Sequence, residues 1–388
     1  MIIRLASVMS HRCCRALAVV LLAGSIAADS GEPAERFAAS QASTGEETID
    51  ERLGRLEAML FAGTDGADNA IPELKKILSL DPRSAEAHFL LGIAYGRMGS
   101  PELVGEAKAE LRQALALKPD LVQARFYLGE VYLKLGRAER TRDELEAALL
   151  QVPGHPQFLA LLGEAERQLG NPDRSQALNR QALQVAQSFV QARYYLGLAL
   201  LDLGQREQAI HELQQVVESD SRVPEVYLSL GSAYLDAGRP EAALEVLRDG
   251  AQIDPSRPDI RIKLARAYRS NGLLDEAEEQ LALTLPEGTP MLASTYYQQL
   301  ESDLYLELGL VKLQRGQVKA AADAFEKALQ IDPNQGLTHR HLAEAYLLQG
   351  SYPLASEHAA RAEKLGFPLA EDERKSLEEG LRRKGRRE

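Results

Sequence analysis

The apolar positions from Ile49 onward recur with helical spacing, and a Leu-Gly or Leu-Ala pair returns eight times at steps of 37, 34, 34, 34, 34, 44 and 34 residues. A further glycine follows each pair, seven residues after its second member. A fixed period of this length predicts an array of helical hairpins. The pairs are Leu91-Gly92, Leu128-Gly129, Leu162-Gly163, Leu196-Gly197, Leu230-Gly231, Leu264-Ala265, Leu308-Gly309 and Leu342-Ala343, and the further glycines are Gly99, Gly136, Gly170, Gly204, Gly238, Gly272, Gly316 and Gly350.

The residue type at each recurring position of the repeat has a physical explanation. The small second member of the pair suits a close crossing of two helices, where a larger side chain would hold them apart. The further glycine suits the end of the first helix, where the chain needs a left-handed residue. A proline closes several units, as in the segment LQIDP that ends at Pro333, because proline cannot continue a helix interior.

This pattern resembles the tetratricopeptide repeat over residues 83–366. The resemblance implies an all-α, right-handed superhelical solenoid of antiparallel helix hairpins, with about eight units. A degenerate N-terminal hairpin is expected over residues 49–82, and a capping helix with a basic tail over 367–388. Thr141 and Ser175 stand where the family has alanine on the second helix, so looser packing is expected in the second and third repeats.

Two irregular steps predict local differences between the repeats. The step of 37 places three extra residues near 100–105, which we interpret as a longer turn inside the first hairpin. The step of 44 places ten extra residues before Asp303. Thr289 followed by Pro290 is a good helix start, so the first helix of the seventh repeat is expected to run from about 291 to 314.

The N-terminus has the three-part order of a secretory signal. A basic stretch without acids precedes an apolar run over residues 16–28 that ends in small residues, which predicts a signal peptide over 1–27 and a flexible linker over 28–48. We therefore expect export to the periplasm. The alternatives are an uncleaved segment that tethers the protein to a membrane, and a true start at Met9 in place of Met1.

The charge and the cysteines narrow the classes of partner. A formal net charge of −12 argues against general binding of nucleic acid and against docking on an anionic membrane. Cys13 and Cys14 are adjacent, so we expect neither a structural disulfide between them nor a zinc site, whose cysteines have a different spacing. The expected partner is a protein or peptide, with no nucleic acid and no stable membrane insertion after signal cleavage.

The sequence contains no motif for catalysis. It has no P-loop, no nucleophile elbow, no H-E-x-x-H and no paired C-x-x-C. His339 and His341 are two residues apart on a predicted helix and point in different directions, so we interpret them as surface histidines and not as metal ligands. The prediction is a protein that is not an enzyme and holds no cofactor or metal.

Candidate binding residues come first from the family resemblance, which implies that the first helix of each hairpin lines a concave groove. The fifth position of that helix is apolar in most repeats, and such a track could take an extended segment or a helix of a partner. The alternative is that these side chains pack between neighbouring repeats. The residues are Phe89, Phe126, Ala160, Tyr194, Leu228, Ile262, Leu306 and Arg340.

A basic cluster in the sixth repeat is a second candidate. Lys263, Arg266 and Arg269 are spaced so that they share one helix face, and they could hold a carboxylate of a partner. The alternative is pairing with Asp236 or Glu225 of the preceding repeat.

The ten-residue insertion gives the third candidate. We expect Met291, Leu292, Tyr296 and Tyr297 at the rim of the groove, either packed against the sixth hairpin or exposed as contact residues for a partner. A loop that folds back and buries them is the alternative. These features together predict a non-catalytic scaffold for an envelope or secretion assembly. The alternative is an adaptor subunit of an enzyme complex whose catalytic part is another polypeptide.

Overall fold

The computed structural model describes residues 47–62, 66–219, 222–284 and 295–384, and every regular element within these ranges is an α-helix. This confirms the all-α prediction. The helices are α1 Ile49–Ala62, α2 Gly66–Leu80, α3 Ala85–Met98, α4 Pro101–Leu117, α5 Val122–Lys134, α6 Ala138–Gln151, α7 Pro156–Gln168, α8 Pro172–Val185, α9 Val190–Asp202, α10 Arg206–Glu218, α11 Pro224–Asp236, α12 Pro240–Ile253, α13 Pro258–Ser270, α14 Leu274–Thr284, α15 Thr295–Gln314, α16 Val318–Ile331, α17 Gly336–Leu348, α18 Tyr352–Lys364 and α19 Glu371–Lys384.

The chain forms two compact units, one up to Val226 and one from Tyr227. Within each unit the two helices of a hairpin pack together, and the first helices of neighbouring hairpins also contact each other. In the first unit these neighbours are α3 with α5, α5 with α7 and α7 with α9, and in the second unit α13 with α15 and α15 with α17. The chain is therefore a helical repeat solenoid, as the 34-residue period predicts.

The small residue of the Leu-Gly pair marks the crossing of the two helices of a hairpin. A Cβ atom added to Gly197 would lie 2.8 Å from Cγ of Leu213 on the second helix, and one added to Gly129 would lie 3.4 Å from Cγ of Leu145. Both leucines are fully buried. The predicted reason for the small residue is confirmed, and the room available differs between repeats.

The further glycine ends the first helix in all eight repeats. Each of these glycines has a positive φ, between 67° and 81°. At Gly204 the amide donates to the carbonyl of Leu201 at 2.9 Å, and the amide of Gln205 donates to the carbonyl of Leu200 at 2.8 Å. Both bonds satisfy carbonyls that a helix end leaves without partners, so the glycine is a C-terminal cap as predicted.

The change Gly204→Val is expected to lower the free energy of unfolding by about 1–3 kcal/mol, because a β-branched residue is strained at a φ of +70°. An added Cβ meets no atom within 4 Å, so the cost is backbone strain and not a clash. Urea denaturation measures it, with Gly204→Asn as the control that tolerates this backbone region better. Unfolding curves identical to wild type would contradict the assignment of the cap.

The three extra residues of the first hairpin lie in its second helix, so the prediction of a longer turn is wrong. Helix α4 has 17 residues, where α6 has 14. It starts at Pro101, directly after Ser100, whose side chain accepts a hydrogen bond from the amide of Leu103. Serine as the cap and proline as the first residue start the helix at once, and the extra residues lengthen it by nearly one turn.

The insertion in the seventh repeat lengthens its first helix as predicted. Helix α15 has 20 residues, whereas α13, the corresponding helix of the sixth repeat, has 13. The difference is about two turns. The predicted start near 291, with Met291 and Leu292, lies outside the described residues.

The two polar residues that stand at alanine positions of the second and third repeats, where looser packing is expected, are buried and lie at hydrogen-bonded positions. Thr141 is fully buried, and its hydroxyl donates to the carbonyl of Gly129 at 2.9 Å. Ser175 is also fully buried, and its carbonyl accepts a hydrogen bond from the Asn179 side chain at 2.9 Å. Polar side chains fill these crossings with hydrogen bonds in place of the small apolar residue.

A basic side chain recurs at one position of the first helix and ties it to the turn before it. Arg125 donates to the carbonyl of Pro119, six residues earlier, at 2.9 Å, and to Glu144 of the second helix at 3.0 Å. The repeat pattern in the sequence gave no sign of this bridge. Equivalent bonds to the carbonyl six residues earlier are made by His88, Arg193, Arg261 and His339.

Helix α19 lies where the capping helix is predicted. It packs against α17 and α18, and Leu377 on it is buried, as is Leu369 just before it. A Cβ atom on Gly380 would lie 2.1 Å from the ring of Tyr352, so this glycine lets the helix approach closely. The apolar end of the last hairpin is thereby covered by a helix whose other face is charged.

Candidate binding surface on the first helices

The predicted apolar track is mostly buried between neighbouring first helices. Ring contacts such as the stacked pair of Phe126 and Phe158, with centroids 5.6 Å apart, fill the space between repeats. Leu228 and Arg340 are the half-buried members. The track therefore contributes chiefly to packing, and its role in binding stays a prediction. The buried members are Phe89, Phe126, Ala160, Tyr194, Ile262 and Leu306.

The basic cluster of the sixth repeat pairs with the seventh repeat, so the prediction of pairing with Asp236 or Glu225 is wrong. Arg269 Nε lies 3.0 Å from Glu307 Oε2, and Arg266 Nε lies 3.6 Å from Glu307 Oε1. Glu307 is buried on α15, and its carboxylate lies against these two cations. The cluster holds a carboxylate, as the sequence indicates, but the carboxylate belongs to the same chain.

Lys263, the third member of the cluster, faces a second carboxylate on α15. Burial raises the pKa of Asp303, while the hydrogen bond from Gln299 and the charge of Lys263 oppose that rise. The side chain of Gln335 donates to the same Asp303 oxygen as Gln299, at 3.0 Å. The polar layer between α13 and α15 is therefore a network of hydrogen bonds and ion pairs within the second unit.

Tyr296 of the insertion contacts the sixth hairpin, and Tyr297 packs against Tyr296. The hydroxyl of Tyr296 donates to Asp259 on α13 at 3.3 Å, and its ring meets that of Tyr297 edge-on, with centroids 5.5 Å apart. Both tyrosines are half-buried. This arrangement matches the packing alternative, and their role as contact residues for a partner stays a prediction.

Charged side chains also link first helices in the first unit. Arg167 on α7 donates to Glu164 of its own helix at 2.7 Å and to Asp202 on α9 at 3.0 Å. Lys134 on α5 donates to the carbonyl of Gly96 on α3 at 3.1 Å. Polar contacts thus join the last turns of α3 and α5, and those of α7 and α9.

Glu130 on α5 is a site residue that sequence reasoning missed. It is 6% exposed, and burial raises its pKa to about 7, although the charges of Lys134 and Arg97 oppose the rise. Its repeat position, directly after the Leu-Gly pair, holds Ile93 in the first repeat and Leu198 in the fourth. Glu164 and Glu344 stand at this position in the third and eighth repeats, so a carboxylate there did not by itself single out Glu130.

His339 is buried, so its interpretation as a surface histidine is wrong. Its Nδ1 lies 2.9 Å from Nδ1 of His358 on α18, and its Nε2 lies 3.1 Å from the carbonyl of Pro333. His341 points elsewhere, with Nδ1 3.1 Å from Glu344. The histidine at this repeat position faces the second helix, which the spacing alone does not reveal. Among the described residues, no group of three potential ligands could hold a metal ion.

We expect the stability of the second unit to fall as the pH drops below about 6.5. Burial lowers the pKa of His358, and the neighbouring His339 lowers it further, so the unfolded chain binds the proton more readily. Stability from this group is complete above the ordinary histidine pKa and is lost on acidification. Thermal melts of wild type and His358→Gln between pH 7.5 and 5.5 isolate the effect, since the variant should lose less on acidification. Parallel pH profiles would contradict it.

The fold defines a helical repeat protein in which neighbouring first helices contact each other within each unit. Two family models described as tetratricopeptide repeat match residues 118–287 and 302–335, together more than half of the chain. The chain belongs to the tetratricopeptide repeat proteins. No curated protein matches it.

Solved structures share this fold. A chain of the APC/C hetero-tetramer Cut9–Hcn1 aligns with a TM-score of 0.61 at 16% identity, over 86% of this chain and 63% of its own length. This chain therefore spans less than two thirds of that chain. The type IV pilus biogenesis factor PilW aligns over 51% of this chain and 90% of its own at 19% identity, with a TM-score of 0.46. PilF of Pseudomonas aeruginosa aligns over 55% and 92% at 20% identity, with a TM-score of 0.44. The first of these likenesses, with the TM-score of 0.61, shows the fold alone.

Across the ranges that the structure describes, no helix has the length and apolar character needed to span a membrane.

Proposed function

We propose that this protein is a non-catalytic scaffold that binds a protein or peptide partner along the first helices of its hairpins. Tetratricopeptide repeat proteins are generally scaffolds of this kind. The observation that carries the proposal is the direct contact between consecutive first helices within each unit, which makes one surface out of several repeats. An extended segment or helix of a partner can touch several repeats on such a surface at once.

The proposed setting is an envelope or secretion assembly. The basic, apolar and small-residue order of residues 1–28 supports export to the periplasm, because a signal peptidase reads this order. Attachment to the membrane by an uncleaved N-terminal segment is the alternative. The alternative function is an adaptor subunit of an enzyme complex, which would use the same surface.

Affinity capture from an envelope fraction of the native host tests the proposal. The tagged protein should retain a specific envelope protein, and Leu228→Glu with Arg340→Glu should reduce the amount retained, because both side chains are half-buried on first helices. Leu283→Glu is the control, since Leu283 is 54% exposed on a second helix. A soluble enzyme as the retained protein would favour the adaptor function. Equal retention by all variants would contradict binding along the first helices.

A further inference from the structure

A small cavity lies between α3 and α5 in the first unit, with a volume of about 30 Å³. Glu130 lines it together with Gly92, Leu111 and Tyr127, and half-buried Arg97 and Lys134 stand at its edge. Gly96 of α3 leaves this space open, since a Cβ atom there would lie 4.0 Å from its nearest neighbour, the Cβ of Ala107. The cavity has room for a polar group of only a few heavy atoms.

The carboxylate of Glu130 has an oxygen that receives no hydrogen bond from the described residues. Its Oε1 is buried and has no hydrogen-bond partner among them. A buried acceptor without a donor is costly, and an ionised one more so. The fold does not require the carboxylate, because Ile93, Leu198 and Leu310 occupy the same repeat position elsewhere. A buried acid that packing does not need, on one of the first helices of the proposed binding surface, indicates a ligand.

The charges around the cavity select the class of ligand. Lys134 is held by the carbonyl of Gly96, and Arg97 is held by the carbonyl of Leu60 with its guanidinium 5.4 Å from the ring centroid of Phe61. A cationic ligand would meet these two fixed cations, and an anionic ligand would meet Glu130. A neutral group that both donates and accepts a hydrogen bond satisfies the site without adding charge. The side-chain carboxamide is such a group and has three heavy atoms.

We propose that this cavity binds the side-chain carboxamide of an asparagine or glutamine in a partner's extended segment. The amide N–H donates to Oε1 of Glu130, and the amide oxygen accepts a hydrogen bond from the Lys134 ammonium or the Tyr127 hydroxyl. This inference rests on the proposed scaffold function and names the chemistry that one repeat of the surface recognises. Asparagine or glutamine would be selected because a site built for a hydrogen bond rejects ligands that lack it.

Four short peptides that differ only in a central Gln, Met, Glu or Lys are the probes. The methyl groups of Ile93, Leu111 and Val131, which line the cavity, report binding in a methyl-labelled NMR titration. The Gln peptide should shift these signals with an affinity about ten-fold above that of the Met peptide, which shares its backbone. The Glu and Lys peptides should bind no better than the Met peptide.

The variant Glu130→Leu should lose the preference for Gln while remaining folded, because leucine already stands at this position in two other repeats. Glu106→Leu, the same change at an exposed site on α4, should keep it. Equal binding of the Gln and Met peptides, a preference for Lys, or a Gln preference that survives Glu130→Leu would each overturn the inference. So would a crystal structure, grown with the Gln peptide, that holds only a fixed water in the cavity. Capture of the envelope partner would still decide the scaffold function separately.

Discussion

Replacing Gly197 with valine is expected to lower the free energy of unfolding by about 3 kcal/mol. A Cβ atom there would lie 2.8 Å from both Cγ and Cδ2 of Leu213, which is fully buried at the crossing of α9 and α10. The two helices must move apart or Leu213 must leave its rotamer, and either change costs packing. Urea denaturation followed by circular dichroism measures the loss.

The same change at Gly129 is the matched control. Gly129 occupies the same repeat position in the same unit, but its Cβ would lie 3.4 Å from the nearest atom, Cγ of Leu145. The lower helix propensity of valine is common to both variants and cancels in the comparison. Gly129→Val should therefore lose clearly less stability than Gly197→Val. Equal losses would show that close approach of the helices is not the reason for the small residue.

Removing Arg269 is expected to cost about 2–3 kcal/mol, because it leaves Glu307 buried with only the longer contact to Arg266. Arg269 Nε lies 3.0 Å from the Glu307 carboxylate, and the side chains of Arg269 and Glu307 are 19% and 8% exposed. Arg269→Met keeps much of the apolar stem while removing the charge. Chemical denaturation of the variant measures the loss.

The double change Arg269→Met with Glu307→Leu distinguishes two causes of destabilisation. One is the unpaired buried carboxylate of Glu307, and the other is the loss of packing by the Arg269 side chain. If the cost of the single change comes from the unpaired buried carboxylate, the double variant should regain most of the stability. If the double variant is as unstable as the single one, the arginine stabilises the repeat by packing, and the ion pair between α13 and α15 contributes little.

The positions of the repeats could be predicted from the sequence, because each recurring residue has a structural reason within its own hairpin. A glycine at positive φ and a small residue at a helix crossing can be recognised from the 34-residue period alone. The position of the three extra residues in the first hairpin could not be predicted, because the length of an insertion does not show whether it lengthens a turn or a helix. Because Ser100 caps α4 and the helix starts directly after it, the extra residues lie in the helix and the turn is not longer.

The site was less predictable because its contacts come from other repeats. The spacing of Arg266 and Arg269 gave their shared face, but the carboxylate they hold belongs to the next repeat. The sequence pattern does not show whether an apolar residue such as Phe126 packs between helices or faces a groove. Glu130 was visible as a glutamate, but its burial beside the cavity between α3 and α5 was not.

The most direct test of the central claim is site-specific photo-crosslinking in the native host. A photoreactive residue at Leu228 or Arg340, on the first helices α11 and α17, should form crosslinks to one specific protein. The same residue at Leu283 or Leu354, exposed positions on the second helices α14 and α18, should not. That contrast is the result expected of a scaffold that binds along its first helices. Crosslinks from the second-helix positions alone, or to no protein from any position, would contradict it.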